Sequence, residues 1–258
     1  MFAAPRLGAA AAGGGDGTST PVPGKSLADQ HLVLVPGLLC TRALFEPQLA
    51  ALSERVRVSV ADATGFAALP AIARAILTRA PGRFALAGLS MGGYVAFEIL
   101  RQAPARVAKL ALLDTNARAD RTEQSAQRRR LIDLGRRDGV RAVQQALLPY
   151  LLHPRRLADA GLVETVLQMA EDVGLAAFER QQEAIMARPD NRPFMAQIRC
   201  PTVIIVGAED GLTPVKVAEE IHAGIAGSRL HVIADCGHLA TLEQPEQVNR
   251  ILTEWLTA

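Results

Sequence analysis

FALAGLSMGGYVAFEIL, residues 84–100, joins two hydrophobic rhythms across one short turn. Residues 84–87 are a continuous apolar run, as in a strand buried on both faces. From residue 91 to about 102 the apolar positions recur at helical spacing. Between the two stands Gly88-Leu89-Ser90-Met91-Gly92. So tight a strand-to-helix turn forces its central residue into a strained conformation. The residues two places to either side must then be glycine to avoid strand and helix. Gly93 and Ala96 continue the small face, so the helix can approach the strand closely.

The same alternation extends in both directions. HLVLV (31–35) reads as a buried parallel strand ending at Pro36-Gly37, and residues 43–53 carry Leu44, Phe45, Leu49 and Leu52 at helical spacing. A strand follows at 56–60, a helix at 69–78 and, beyond the opening stretch, a strand at 107–113. With no hairpin signals between strands, this pattern predicts an α/β fold: a mostly parallel sheet covered by helices on both faces. From about 116 to 197 the rhythm breaks into helical stretches at 123–134, 140–148 and 164–169. Strands resume at 201–206 and 229–233, followed by helices at 215–223 and 245–256. The expected organisation is a core of residues 30–115 and 198–258 with a helical cap, 116–197, inserted between strands. Such an insertion sits over the crevice at the carboxyl ends of the strands, where these sheets bind ligands. Residues 1–29, rich in Ala, Gly, Ser, Thr and Pro, offer nothing to pack and read as a flexible tail.

Composition narrows the function classes. The chain has 258 residues, 49% hydrophobic and 21% charged, which reads as a globular protein with a real core. A net charge of +2 is too small an electrostatic footprint for a nucleic-acid partner. No apolar run is long enough to span a membrane, and the broken apolar stretch behind Arg6 makes a poor signal peptide. Cys40, Cys200 and Cys236 are odd in number and scattered, which argues against a disulfide scaffold and excludes a zinc ribbon. Reduced thiols and a cytoplasmic location are expected.

A serine at a strand–turn–helix junction is the setting of a nucleophile, and a serine hydroxyl needs a base. Of five histidines, His31 and His231 belong to strands, His222 to a helix and His153 to the inserted segment. His238 occupies a loop just beyond the last strand, at the same sheet edge as Ser90. A carboxylate must orient that imidazole. Asp210 lies four residues past the strand at 201–206, in Gly207-Ala208-Glu209-Asp210-Gly211-Leu212-Thr213-Pro214, with Glu209 and Asp114 as competing acids. The backbone N–H groups of Met91 and Leu38 are the expected oxyanion donors. Leu39, Leu212 and Leu239 neighbour these loops as candidate substrate contacts. The inserted segment carries 13 Arg and 11 Asp/Glu between Arg118 and Arg192, nearly balanced. Arg188 and Arg192, near the return into the sheet, are the candidates there for holding an anionic group.

From His31 to Leu256 the sequence resembles the α/β-hydrolase superfamily, specifically its capped esterase and lactonase-like branch. The resemblance rests on VLVPGLLC with FEPQL, ALAGLSMGGYVAFEIL, VGAEDGLTP and CGHLATLEQPEQV. It implies a cap after the sixth strand of the fold, here the strand at 107–113. It also implies a hydrolase without metal or organic cofactor that works through an acyl-enzyme on a small carboxylic ester, lactone or thioester. The same three residues serve a carbon–carbon bond hydrolase acting on a diketone acid, and a non-catalytic ligand receptor is the alternative of another class. Two features depart from the pattern. Pro36-Gly37 stands where many relatives have His-Gly, and Asp62-Ala63-Thr64-Gly65-Phe66 is shorter than the usual loop after the second strand.

Overall fold

The computed structural model describes Met1 and residues 30–258; the expected tail falls on residues outside that description. Six strands form one sheet: β1 (His31–Val35), β2 (Arg57–Val60), β3 (Phe84–Leu89), β4 (Val107–Leu113), β5 (Thr202–Gly207) and β6 (Arg229–Ile233). Their order is β2-β1-β3-β4-β5-β6, and every neighbouring pair is parallel. The predicted α/β architecture is present.

Alternation along each strand divides the core. Leu32, Leu34, Ala85, Ala87, Leu89, Ala111 and Leu113 face one layer, where α1 (Glu46–Leu52) and α9 (Pro245–Thr257) pack. Val33, Val35, Leu86, Leu110 and Leu112 face the other, covered by α2 (Leu69–Arg79), α3 (Met91–Gln102) and α7 (Val215–Gly224). In α9 the buried stripe is Val248, Ile251, Leu252, Trp255 and Leu256. At about 1.5–3 kcal/mol for each large apolar side chain, that stripe outweighs the weak intrinsic stability of one short helix. Ten residues of α3, Met91 through Leu100, are buried. A helix apolar on all sides belongs in the interior.

The differences from the sequence reading are local. β3 runs to Leu89, so the turn before α3 is Ser90 alone. The stretch 43–53 opens as a 3₁₀ turn, Arg42–Phe45, and becomes α-helical only at Glu46, where Pro47 in the first turn presets the backbone. Between β4 and β5 lie α4 (Thr122–Leu151), α5 (Ala160–Met186) and α6 (Arg192–Met195). The expected stretches 123–134 and 140–148 lie on either side of a break in α4 at Gly139 (φ 82°), and the stretch 164–169 is the first part of a longer α5 that is broken likewise at Gly174 (φ 73°). Ile132, Val143, Ala170 and Phe178 join the two in a third apolar cluster.

At the carboxyl edge of the sheet, Asp114 clasps three elements together. Its Oδ1 accepts the Gly207 N–H at 2.9 Å and its Oδ2 the Ala240 N–H at 3.3 Å, tying β4 to β5 and to α8 (Ala240–Glu243). Complete burial, with the Asp210 charge adding to it, raises this carboxyl well above the usual range despite those two donors. The folded protein therefore keeps the Asp114 proton to higher pH than the unfolded chain, whose carboxylates ionise near 4. Above that pH unfolding releases a proton, and stability falls as pH rises toward the native pKa. Asp114→Asn should flatten this slope, each whole proton being worth about 1.4 kcal/mol per pH unit. Urea denaturation at pH 5 and pH 7.5 measures it, and an unchanged slope in the variant would refute the assignment.

Candidate active site

Ser90 sits where β3 passes into α3 with φ 55° and ψ −115°. That region costs a side-chain-bearing residue roughly 1–3 kcal/mol and survives only where its surroundings enforce it. Here they do so from both sides. A Cβ on Gly88 would collide with the Gly92 carbonyl, and one on Gly92 with the Val35 carbonyl. The Ser90 N–H donates to Leu113 O at 2.9 Å, and Thr115 Oγ1 donates to Ser90 O at 2.8 Å. Both peptide groups of the strained residue are thus held by β4 and its continuation, while the half-buried side chain reaches a cavity.

His238 and Asp210 come together beside that cavity. His238 Nδ1 lies 2.8 Å from Asp210 Oδ2, and both side chains are almost wholly buried. Asp210 also accepts the Leu212 and Thr213 N–H groups at 2.8 Å each and the Thr213 hydroxyl at 2.6 Å. Burial alone would push the Asp210 carboxyl up. The His238 charge and the hydrogen bonds from His238 and Thr213 outweigh burial and hold it below its ordinary value. The competing acids are occupied elsewhere. Glu209 accepts the Cys236 N–H at 3.0 Å, and Asp114 makes the clasp described above.

The loop that carries His238 is pinned at the backbone. Its own N–H donates to Leu151 O at 2.9 Å. Glu243 accepts the N–H groups of Gly237 (3.0 Å) and Leu239 (3.4 Å) on one oxygen and of His153 (2.7 Å) on the other. Burial raises this carboxyl too. Nothing in the one-dimensional pattern marked Glu243; its signal was only its place four residues past the histidine loop.

The two expected oxyanion donors flank Ser90. Among the described residues, neither the Leu38 nor the Met91 N–H has a protein acceptor. Met91 opens α3, where the first N–H groups lie ahead of any intrahelical partner. The next N–H in the first turn, that of Leu39 (φ 56°), is drawn off to Gln181 Oε1 at 3.1 Å, separating it from Leu38. Gly37 brings this turn against the serine, since a Cβ there would stand 3.3 Å from Ser90 Cβ.

The cavity, of about 390 Å³, is walled by the turn at Gly37-Leu38, by Ser90 and His238, and by α4 and the end of α5. Of the residues expected to contact substrate, Leu212, Leu239 and Arg188 line it. Two do not. Leu39 is wholly buried among Ile132, Val143 and Phe178, behind the wall, because its backbone turns toward α5. Arg192 lies on the surface in ion pairs with Asp190 and Glu220 (3.7 Å to the latter), outside the lining of this cavity. The short loop at 62–66 packs on α5, its Thr64 carbonyl accepting from Arg180 Nε at 2.9 Å. Tyr94, Asn116, Gln124, Arg128 and Tyr150 also line the cavity and escaped the sequence reading. Only Tyr94, one helical turn after Ser90, carried a periodic signal for that placement.

Among the described residues no helix is long and apolar enough to cross a membrane. Residues 32–251 match the sequence profile of the alpha/beta hydrolase family. An esterase from Thermogutta terrifontis, solved with malate bound, is 30% identical and superposes with a TM-score of 0.81 over 90% of this chain and 91% of its own. The enol-lactonase of Burkholderia xenovorans LB400 superposes equally well, TM-score 0.81 over 89% and 92%; at 23% identity that likeness concerns the fold alone. A 2-hydroxy-6-oxononadienedioate/2-hydroxy-6-oxononatrienedioate hydrolase of Klebsiella pneumoniae is 30% identical over 177 residues, 66% of this chain and 61% of that protein. The biotin biosynthesis bifunctional protein BioHC of Cellvibrio japonicus is 28% identical over 229 residues, 84% of this chain and 45% of that protein. The chain thus spans less than two thirds of the length of either of these curated relatives. With a family match across nearly all its described residues, the chain belongs to the alpha/beta hydrolase family.

Proposed function

We propose that this protein is a serine hydrolase that cleaves a small carboxylic ester, lactone or thioester through an acyl-enzyme, with Ser90, His238 and Asp210 as its catalytic residues. The observation that carries the reading is the 2.8 Å contact between Asp210 and His238 Nδ1. It assigns the proton to Nδ1 and leaves Nε2 as a base for Ser90, which lines the same cavity. In the first step Ser90 Oγ attacks the acyl carbon while His238 takes its proton. The N–H groups of Leu38 and Met91 receive the developing oxyanion. The C–O or C–S bond then breaks, and His238 protonates the departing alkoxide, enolate or thiolate. Water, deprotonated by His238, attacks the acyl-serine; the Oγ–acyl bond breaks, His238 returns the proton to Ser90 Oγ, and the acid is released. Helices α4 to α6 act as the cap that keeps bulk water from the acyl-enzyme.

The 30% identical hydrolase named for a hydroxy-oxo-dienedioate favours a second reading, a carbon–carbon bond hydrolase on a diketone acid. There the bond broken joins the acyl carbon to carbon, and the leaving group is a stabilised carbanion. The paired carboxylate and imidazole fit both readings. The partly apolar cavity, about 390 Å³ in volume, favours a small acyl group in either case.

Ser90→Ala should reduce hydrolysis of a short-chain 4-nitrophenyl ester to the residual rate that binding and oxyanion donors supply. Circular dichroism checks that the variant is folded. A folded Ser90→Ala protein with most of the parent activity would exclude the serine mechanism. Hydrolysis of a diketone acid but of no ester, lactone or thioester would decide for the second reading.

The acid is tested separately. Asp210→Asn should lower kcat by up to ~10⁴-fold, because the amide favours the wrong imidazole tautomer. Glu209→Gln should cost far less, since Glu209 caps the Cys236 N–H and makes no bond to the imidazole. A crippled Glu209→Gln beside an active Asp210→Asn would reverse the assignment.

A further inference from the structure

The polar wall of the cavity is rich in donors. Arg188 is buried, its side chain 1% exposed, with its guanidinium 4.5 Å over the Tyr94 ring. Its Nε donates to Arg118 O (2.9 Å), and its Nη1 to Ile185 O (3.0 Å) and to Asp120 Oδ1. Arg128 donates through Nε to Asp120 Oδ2 (2.8 Å) and through Nη1 to Gln182 Oε1 (3.0 Å). Among the described residues, Nη2 of each arginine has no protein acceptor, and both side chains line the cavity. One buried carboxylate, Asp120, thus stands between two guanidinium groups, leaving one positive charge uncompensated.

The neighbouring carboxamides are oriented the same way. Asn116 Oδ1 accepts the Arg118 N–H at 2.9 Å while its Nδ2 donates to the Tyr94 hydroxyl at 3.1 Å. Gln124 Oε1 accepts the Arg121 N–H at 3.0 Å in the capping box of α4, leaving its NH₂ group free. With its oxygen lone pairs engaged from one side, the Tyr94 hydroxyl has its proton to give. Among the described residues, no Asp or Glu side chain lines the cavity. A wall that offers N–H and O–H groups, one net positive charge and few free acceptors leaves a neutral guest with unpaired buried donors. It satisfies a carboxylate, whose two oxygens accept from a guanidinium in the plane of its fork.

We infer that the cavity takes a substrate bearing one free carboxylate, held by Arg188 and Arg128 across from Ser90, so that the preferred esters, lactones or thioesters are those of acids with a second, uncleaved carboxyl group. This deepens the serine-hydrolase reading and rests on it for the chemistry, though not for the binding of the anion. Asp120 makes the site selective: it cancels one of two charges, so a monoanion is matched and a dianionic phosphate is not. Arg192, by contrast, has no part in it.

The test compares 4-nitrophenyl hemisuccinate, hemiglutarate and hemiadipate with the same esters carrying a methyl cap on the second carboxyl. The parent should favour at least one acid over its capped twin by about tenfold to a hundredfold in kcat/KM, chiefly through KM. That range is what one charge-assisted hydrogen bond supplies. The acid-to-capped ratio should collapse toward one in Arg128→Gln and in Arg188→Gln, whatever either substitution does to the absolute rates. Arg128 is partly exposed, so its variant keeps the test decisive if the buried Arg188→Gln fails to fold. A parent ratio near one for all three acids, or a ratio that survives Arg128→Gln, overturns the inference. Should the parent hydrolyse none of these esters, calorimetry with adipate decides the anion site alone, and the bond cleaved is left to the assays under the proposed function. Adipate binding that Arg128→Gln abolishes sustains the anion site, and absence of binding by the parent overturns it.

Discussion

Everything at the sheet edge depends on the wedge that holds Ser90 at positive φ. The wedge is a matter of backbone contact. The Val35 carbonyl on β1 leaves no room for a side chain at residue 92, and β4 supplies the acceptor and the hydroxyl that fix both peptide groups of Ser90. Because β1 and β4 are the two neighbours of β3 in the sheet, the strand order itself positions the serine. It also sets what surrounds the serine. The turn leaving β1 brings the Leu38 N–H to one side, and the segment leaving β4 brings Thr115 and Asn116 to the other. The strain, of the order of 1–3 kcal/mol, is spread over a sheet whose core strands are buried on both faces.

Three buried carboxyl groups cluster behind the serine, and their surroundings sort them by role. Asp210 has an imidazole and three further donors, which favour the charged form over the cost of burial. Asp114 and Glu243 accept only backbone N–H groups, in a region where a further negative charge is unfavourable, and both are shifted up. Carboxyl groups thus serve here as one partner of the His238 imidazole, Asp210, and as two connectors that hold loops together, Asp114 and Glu243. The donors around each carboxyl set the direction in which its pKa moves.

Much of this was legible in the sequence because it is written in local patterns. Strands buried on both faces give unbroken apolar runs, and the glycine spacing about Ser90 follows from one steric constraint. The loops carrying Asp210 and His238 follow strands directly, so their edge of the sheet was fixed once the strands were read. What escaped depends on contacts far apart in the chain. Leu39 looked like a pocket residue by proximity to the turn, but a bond to Gln181, 142 residues away, turns it into the core of the inserted helices. Arg188 and Arg192 looked alike in sequence. Helix α5 ends with the first pointing inward over Tyr94, while the second meets acids on the surface. Arg128 sits in a run of three arginines whose usual reading is a solvated face, and its bonds to Asp120 and Gln182 hold it at the cavity.

The inserted segment is also tied to the imidazole. The His238 N–H ends on the Leu151 carbonyl, at the last residue of α4, and Glu243 bridges the loop about His238 to the His153 N–H two residues further on. A shift of the end of α4 therefore moves the acceptor and the bridge that hold the histidine loop, while Ser90 is held independently by β4. Helix α4 also carries Arg128 and Gln124 on the cavity wall, 20 or more residues earlier. An anion that settles on that wall draws on the same helix whose other end fixes the base. Helix α4 thus carries cavity-wall residues in its first half and the acceptor for the His238 N–H at its last residue, with the kink at Gly139 between them.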